Sequence, residues 1–238
     1  MLPVFDPIPI YMVAYFRPQD LIVSLDSILE NTTLPYKLFV IDNSHGEIDE
    51  TLDQYEDLPH TTIIRNSTNK GKGQAFMEQY RQYNTPYFIS IDGDIIVPPR
   101  WLERIDQAYW TTNAPILAPI IGNHPDETFE YQLAHGFNMH KITEPIILQN
   151  KTFTCRYTSG PLFAIDTDFF KLIGGYPTNQ IYGNEDGELC RRAATKGRLP
   201  RIISDLQVLH SNIESDSEYK QWKLANVRNP QVRKGRWD

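Results

Sequence analysis

The sequence predicts an α/β domain built on an open, mostly parallel sheet flanked by helices. Two patterns carry this prediction. Short β-rich runs alternate with helical patterns through the first half of the chain, as βαβ units do. Polar residues follow the ends of successive strands, where open α/β sheets bind their ligands. A chain of 238 residues, 40% hydrophobic and 22% charged, is long and apolar enough for one sizeable core.

The first strand spans residues 8–14, and Pro18 and Asp20 then open a helix with Leu21, Leu25, Ile28 and Leu29 on one face. Residues 37–41 and 61–65 read as the second and third strands, with a helix over 71–83 behind the third. Residues 87–91 are a fourth strand, a helix covers 101–108, and 116–121 form a fifth strand. No clear period runs through 122–150, which carries His124, His135 and His140 and reads as an inserted region. Strand-like 162–165 precedes a short helix and Gly174-Gly175-Tyr176. A helical stretch covers 185–197, and 201–209 form a late strand ending at His210. A single domain is expected, with halves at about 1–121 and 122–211 and a basic tail over 212–238.

Composition narrows the function. A net charge of -7 argues against a nucleic-acid partner, which leaves a basic footprint. Cys155 and Cys190 are too few for a disulfide scaffold and lack zinc-site spacing, so two free thiols are expected. No apolar run approaches the ~20 residues that span a membrane, and no signal-type stretch opens the chain. A cytoplasmic location is the expectation. The tail, with Lys220, Lys223, Arg228, Arg233, Lys234 and Arg236, reads as a solvated face. Peripheral contact with anionic lipid heads is its alternative.

Three constellations carry chemistry. Asp92-Gly93-Asp94 follows an apolar strand, and two carboxylates on a tight turn suit a hard divalent cation. Such a cation can bridge diphosphate oxygens and neutralise a leaving nucleotide. An isolated D-x-D is more often a solvated turn; its place at a strand end favours the metal. Glu185-Asp186 lies between Gly183 and Gly187 and follows Ser159-Gly160-Pro161 and Gly174-Gly175-Tyr176. One acid at a helix start is explained by capping or by the helix dipole, but a glycine-flanked pair is not. His210 ends the late strand, and a histidine there is a candidate ligand beside a metal turn.

The order of these pieces resembles family 2 glycosyltransferases and their GT-A relatives, over about residues 8–211. Val13-Ala14-Tyr15-Phe16-Arg17-Pro18 is similar to the opening strand and turn, and Val40-Ile41-Asp42-Asn43 to the nucleotide-binding acid. Asn69-Lys70-Gly71-Lys72-Gly73-Gln74-Ala75 resembles the glycine-rich helix start. Ser159-Gly160 and Gly174-Gly175-Tyr176 resemble the acceptor-side motifs. The resemblance implies a GT-A, Rossmann-like sheet with a smaller acceptor-side region. It implies an inverting transferase that moves one sugar from a nucleotide-sugar, by default a UDP-sugar, to a hydroxyl acceptor. That acceptor could be a glycan, a lipid-linked molecule or another hydroxyl compound. Asp94 and His210 would bind Mn²⁺ or Mg²⁺, with Asp92 on metal or ribose, and Asp186 rather than Glu185 would be the base.

The donor site is expected to include Tyr15, Arg17, Asp42, Asn69, Lys72, Asp92, Gly93 and Gly160. Several have bland alternatives. Lys72 could be a solvated lysine at a helix entry, Arg17 a surface arginine before Pro18, and Tyr15 a core residue rather than a stacking platform. Phe129, Tyr131 and Phe137 are read as core packing before an acceptor platform.

Three departures stand out. Ser44-His45-Gly46 replaces the Ser-Thr-Asp run common after the nucleotide acid, which leaves the ribose contacts open. Pro177 and Thr178 stand where an acid is common after Gly174-Gly175-Tyr176. Gln231 and Arg236-Trp237 lack the spacing of processive synthases. The competing readings are a sugar-phosphate nucleotidyltransferase and an inactive nucleotide-sugar-binding module. The first normally has glycines where Tyr15-Phe16-Arg17-Pro18 stand, and intact Asp94, Asp186 and His210 speak against the second.

Overall fold

β1 (Ile8–Ala14) alternates its side chains between two hydrophobic layers, and this alternation organises the molecule. A computed structural model describes residues 6–80, 83, 85–137, 140–143, 145–179, 183–211 and 213. The expected basic tail, apart from Ile213, and the residue Tyr182 lie outside the described residues. Ile10, Met12 and Ala14 face one layer, and Tyr11 faces the other. The remaining strands are β2 (Tyr36–Asp42), β3 (Thr61–Arg65), β4 (Tyr87–Asp92), β5 (Ile95–Ile96) and β6 (Ile116–Gly122). They continue with β7 (His140–Lys141), β8 (Thr152–Thr154), β9 (Tyr157–Thr158), β10 (Leu162–Asp166) and β11 (Arg201–His210).

The main sheet has nine strands in the order β3-β2-β1-β4-β10-β6-β11-β5, with β8 pairing β11 off this path. β3, β2, β1, β4, β6 and β11 point one way, and β10, β5 and β8 run against them. The sheet is thus mostly parallel, as expected. The reversal of β10 matters for function. Its amino end, rather than its carboxyl end, reaches the rim where β1, β4 and β11 finish.

Helices cover both faces. α1 (Pro18–Asn31) has proline at its start and buries Leu21, Leu25 and Ile28, one per helical turn. α2 (Asp49–Leu52) is a single turn after β2. α3 (Lys72–Met77) is shorter than the expected 71–83; Gln79 N already bonds Phe76 O at 2.9 Å, the tighter spacing of a turn. α4 (Trp101–Thr112) buries Trp101, Leu102, Ile105, Ala108 and Tyr109 in the same layer as α1. α5 (Phe129–His135) stands in the stretch where no period was clear, capped by Thr128 Oγ1, which accepts from Tyr131 N at 3.3 Å. α6 (Thr167–Leu172) and α7 (Glu185–Thr195) pack with α3 against the opposite face, around Phe76, Phe88, Phe163 and Phe170. Phe129 and Phe137 pack on Phe153 with ring centroids 5.6 and 5.7 Å away, as core residues do. Tyr131 is exposed. β7 and β9 form a separate two-stranded sheet. Among the described residues no helix is long and apolar enough to cross a membrane.

Candidate functional site

The chain runs from β1 outward to β2 and β3, then returns to β4 on the other side of β1. The strand order therefore reverses between β1 and β4, and a crevice opens beyond their carboxyl ends. A cleft of about 370 Å³ lies there. Its lining includes Tyr15, Arg17, Asn69, Lys72, Asp92, Gly93, Asp94, Gly160, Glu185, Asp186 and His210. Every expected site residue except Asp42 is in that wall.

One wall is the D-x-D turn. Asp94 Oδ2 accepts from Arg17 Nη1 at 2.5 Å and lies 3.4 Å from His210 Nε2. Its Oδ1 is buried without a hydrogen-bond partner among the described residues. Ser211 N donates to the Asp94 carbonyl at 2.7 Å, which joins the end of β11 to the turn after β4. A carboxylate oxygen on the turn after β4 and an imidazole nitrogen at the last residue of β11 form a donor set that suits Mn²⁺ or Mg²⁺. Among the described residues no three His, Cys, Asp or Glu side chains converge as a closed cage. The remaining positions around such an ion would belong to water and to ligand oxygens, as in diphosphate sites.

Both acids of the turn carry a built-in cation. The Lys72 ammonium pairs with Asp92 and also donates to the Gly160 carbonyl at 3.1 Å. Burial alone would push this lysine down, but the charges of Asp92 and Glu185 hold it above the usual range, so it stays charged. Arg17 reaches Asp94 with one arm, and with the other it pairs with Asp20 at 2.7 Å and the Ser211 carbonyl at 3.3 Å. Asp20 is fully buried, and it also accepts from the Ser211 hydroxyl and from Ile213 N at 3.1 Å. Phe16 and Arg17 sit at φ 52° and 58°, a left-handed turn that costs roughly 1–2 kcal/mol per residue. The charge-assisted bonds of Arg17 offset that strain. Arg17 and Lys72, expected on the donor, are thus first of all partners of the acidic turn.

The acid pair lines the same cleft. The N-cap of α7 is Asn184, in the left-handed region at φ 69°, so Glu185 and Asp186 form the first helical turn. Asp186 Oδ2 accepts from Gly160 N at 3.0 Å and from Tyr157 OH at 3.1 Å, and Oδ1 accepts from Gly187 N at 2.8 Å. Three donors suit a charged carboxylate. A Cβ on Gly160 would sit 2.8 Å from the Asp186 Cβ, so only glycine allows this approach. Glu185 differs. Burial pushes its carboxyl up, and its Oε2 is buried without a partner among the described residues. The two neighbouring acids therefore have different environments, the pattern that separates acid and base roles.

At the far end, Asp42 is fully buried behind the lining, and Asn43 takes the wall position. Asp42 Oδ1 accepts from Ser44 N at 2.7 Å and Ser44 Oγ at 2.6 Å, while Oδ2 has no partner. Asn43 donates to Asn69 Oδ1 at 2.8 Å and accepts from Lys70 N at 3.0 Å, which fixes the loop before α3. The Tyr15 ring meets Phe16 edge-on at 4.4 Å. Sequence reasoning gave no site role to Asp20, Tyr157 or Asn184. Asp20 had a legible signal, a charge three residues after Arg17 on an apolar helix face. Tyr157 had none, because nothing local marks it.

The sequence model of one known protein family, described as Glycosyl transferase family 2, matches residues 10–174. A comparison with curated protein sequences finds no match. Among solved structures, one of GalNAc-T7 with UDP, GalNAc and Mn²⁺ is similar at TM-score 0.69 and 18% identity, over 87% of this chain and 44% of that one. The mannosyltransferase PcManGT from Pyrobaculum calidifontis, in complex with GDP-Man and Mn²⁺, is similar at TM-score 0.66 and 16% identity. That match covers 99% of this chain and 67% of the mannosyltransferase. The chain therefore spans less than half the length of the first structure, and at these identities both likenesses concern the fold.

Proposed function

The chain belongs to glycosyl transferase family 2 and has the GT-A fold, and from that premise we propose an inverting transfer of one sugar from a nucleotide-sugar to a hydroxyl acceptor. The observation that carries this reading is that Asp186 lines the same cleft as Asp94 and His210. A candidate base and a diphosphate-binding turn in one cleft suit a single displacement. The acceptor hydroxyl gives its proton to Asp186 as its oxygen attacks the anomeric carbon. The bond from that carbon to the diphosphate breaks on the far side, and the electron pair leaves with the nucleotide. Asp94 and His210 would hold Mn²⁺, which when bound supplies charge stabilisation to the departing diphosphate. Lys72 and Arg17 keep the acidic turn folded and neutralise its excess negative charge. No enzyme nucleophile is required.

The two similar structures hold UDP and GDP-Man, so both nucleotides belong in a donor panel, with UDP-sugars first. Incubation with nucleotide-sugars and Mn²⁺ is expected to release free nucleoside diphosphate. Pyrophosphate release from a nucleoside triphosphate would instead mark a nucleotidyltransferase, and release of neither would mark a binding module. The acceptor is a glycan, a lipid-linked molecule or another hydroxyl compound.

Asp42 is proposed to accept a hydrogen bond from the base or ribose through Oδ2, which has no partner among the described residues, once the lining in front of this buried residue moves aside. Asp42→Asn tests this cleanly. The amide oxygen must face the two Ser44 donors, which places an N–H where the free acceptor stood. Nucleoside diphosphate affinity is expected to fall roughly ten- to a hundredfold. Unchanged affinity by calorimetry, with a normal melting curve, removes Asp42 from the site.

A further inference from the structure

We propose that Tyr157 is a positioning residue that anchors Asp186 so that one defined oxygen, Oδ1, receives the acceptor proton; this rests on the reading of Asp186 as general base. Tyr157 does not line the cleft. Its hydroxyl donates to Asp186 Oδ2 at 3.1 Å. Burial pushes that hydroxyl well above its ordinary range, so it remains a donor at any working pH. Gly160 N donates to the same oxygen at 3.0 Å, which occupies both of its lone pairs. Among the described residues Oδ1 takes only Gly187 N, at 2.8 Å, and so keeps one acceptor position. The acceptor O–H bond breaks toward that position as the new bond to the anomeric carbon forms and the diphosphate leaves with its electron pair.

The element that carries Tyr157 is itself fastened to the element that carries Asp186. Cys190 Sγ, on α7, meets the Thr158 carbonyl at 3.7 Å. β9 is paired with β7, where Lys141 stands opposite Tyr157 and His140 opposite Thr158. The His140 ring lies 2.7 Å from Thr158 Oγ1 through Nδ1, and burial pushes the imidazole down to about 4. His140 is therefore neutral near pH 7, and this small sheet carries no buried charge there. The inserted region over 122–150, expected to cover the acceptor side, thereby also braces, through β7, the strand that carries Tyr157. Its histidine supports the strand and takes no part in the reaction.

Tyr157→Phe keeps the ring and removes the donor. Turnover is measured as nucleoside diphosphate release from an active UDP- or GDP-sugar, and donor affinity by calorimetry with UDP or GDP. Turnover is expected to fall roughly ten- to a hundredfold with KM for the donor and nucleotide affinity unchanged. In the Asp186→Asn background the same substitution is expected to cost nothing further, because the group it positions is gone. Wild-type turnover in Tyr157→Phe beside a crippled Asp186→Asn overturns the positioning role and leaves the base reading intact. A full additional loss in the double variant also overturns it, because Tyr157 then acts on something other than Asp186. Near-wild-type turnover in Asp186→Asn removes the base reading and this inference with it.

Discussion

Asp186→Asn is expected to retain the fold and nucleotide affinity while losing roughly a hundredfold or more in turnover. The asparagine keeps the size of the side chain but cannot take a proton from the acceptor hydroxyl. The structure also separates this effect from capping, because the N-cap of α7 is Asn184. Asp186 instead serves three donors, and the amide nitrogen of asparagine must turn toward one of them. That mismatch costs about 1 kcal/mol, or about 2–4 °C in melting temperature for a chain of this size. A small thermal shift with a large kinetic loss is thus the expected signature. The product anomer, read by NMR, is expected to be inverted relative to the donor. Near-wild-type turnover, or a retained anomer, rules the mechanism out.

Removal of the metal, or of Asp94, is expected to abolish transfer. Charge stabilisation of a departing diphosphate contributes several kcal/mol, roughly a thousandfold or more in rate. Activity should vanish with EDTA and return with Mn²⁺. Asp94→Ala should match the chelated enzyme and bind Mn²⁺ much more weakly in the presence of UDP or GDP, as read by calorimetry. The variant is expected to fold, because Arg17 keeps Asp20 and the Ser211 carbonyl when Asp94 is removed. Full turnover after exhaustive chelation, or unchanged Mn²⁺ binding in Asp94→Ala, sinks the metal assignment.

Asp186 and Asp94 are also the clearest cases of what was legible in the chain. Both stand at the end or start of an element that local pattern reveals, the strand before Asp92 and the helix after Asn184. Their order with His210 carries the resemblance to family 2 glycosyltransferases, whose sequence model matches residues 10–174 and so includes Asp94 but neither Asp186 nor His210. What surrounds each of them was not legible. The pairing of Arg17 with Asp94 joins residues 77 positions apart, and that of Tyr157 with Asp186 joins residues 29 apart across separate elements. Lys72 looked like a phosphate contact or a solvated lysine, and proved to be held between Asp92 and Gly160. α5 was hidden for a different reason. It is short, and its capping residue Thr128 was the only strong local signal.

By itself the sequence determined the alternation of strand and helix, the apolar strands and helix faces, and the element ends on which the acids stand. Those features follow from periodicities of about two and 3.6 residues, which a chain expresses locally. Only the tertiary structure decided that β10 runs backward and brings Gly160 to the rim. It also decided which cation meets which carboxylate, and which carboxylate oxygens remain without partners. Hydrogen bonds and ion pairs reach only about 3–4 Å, so their partners are set by how distant segments pack rather than by their neighbours in the chain.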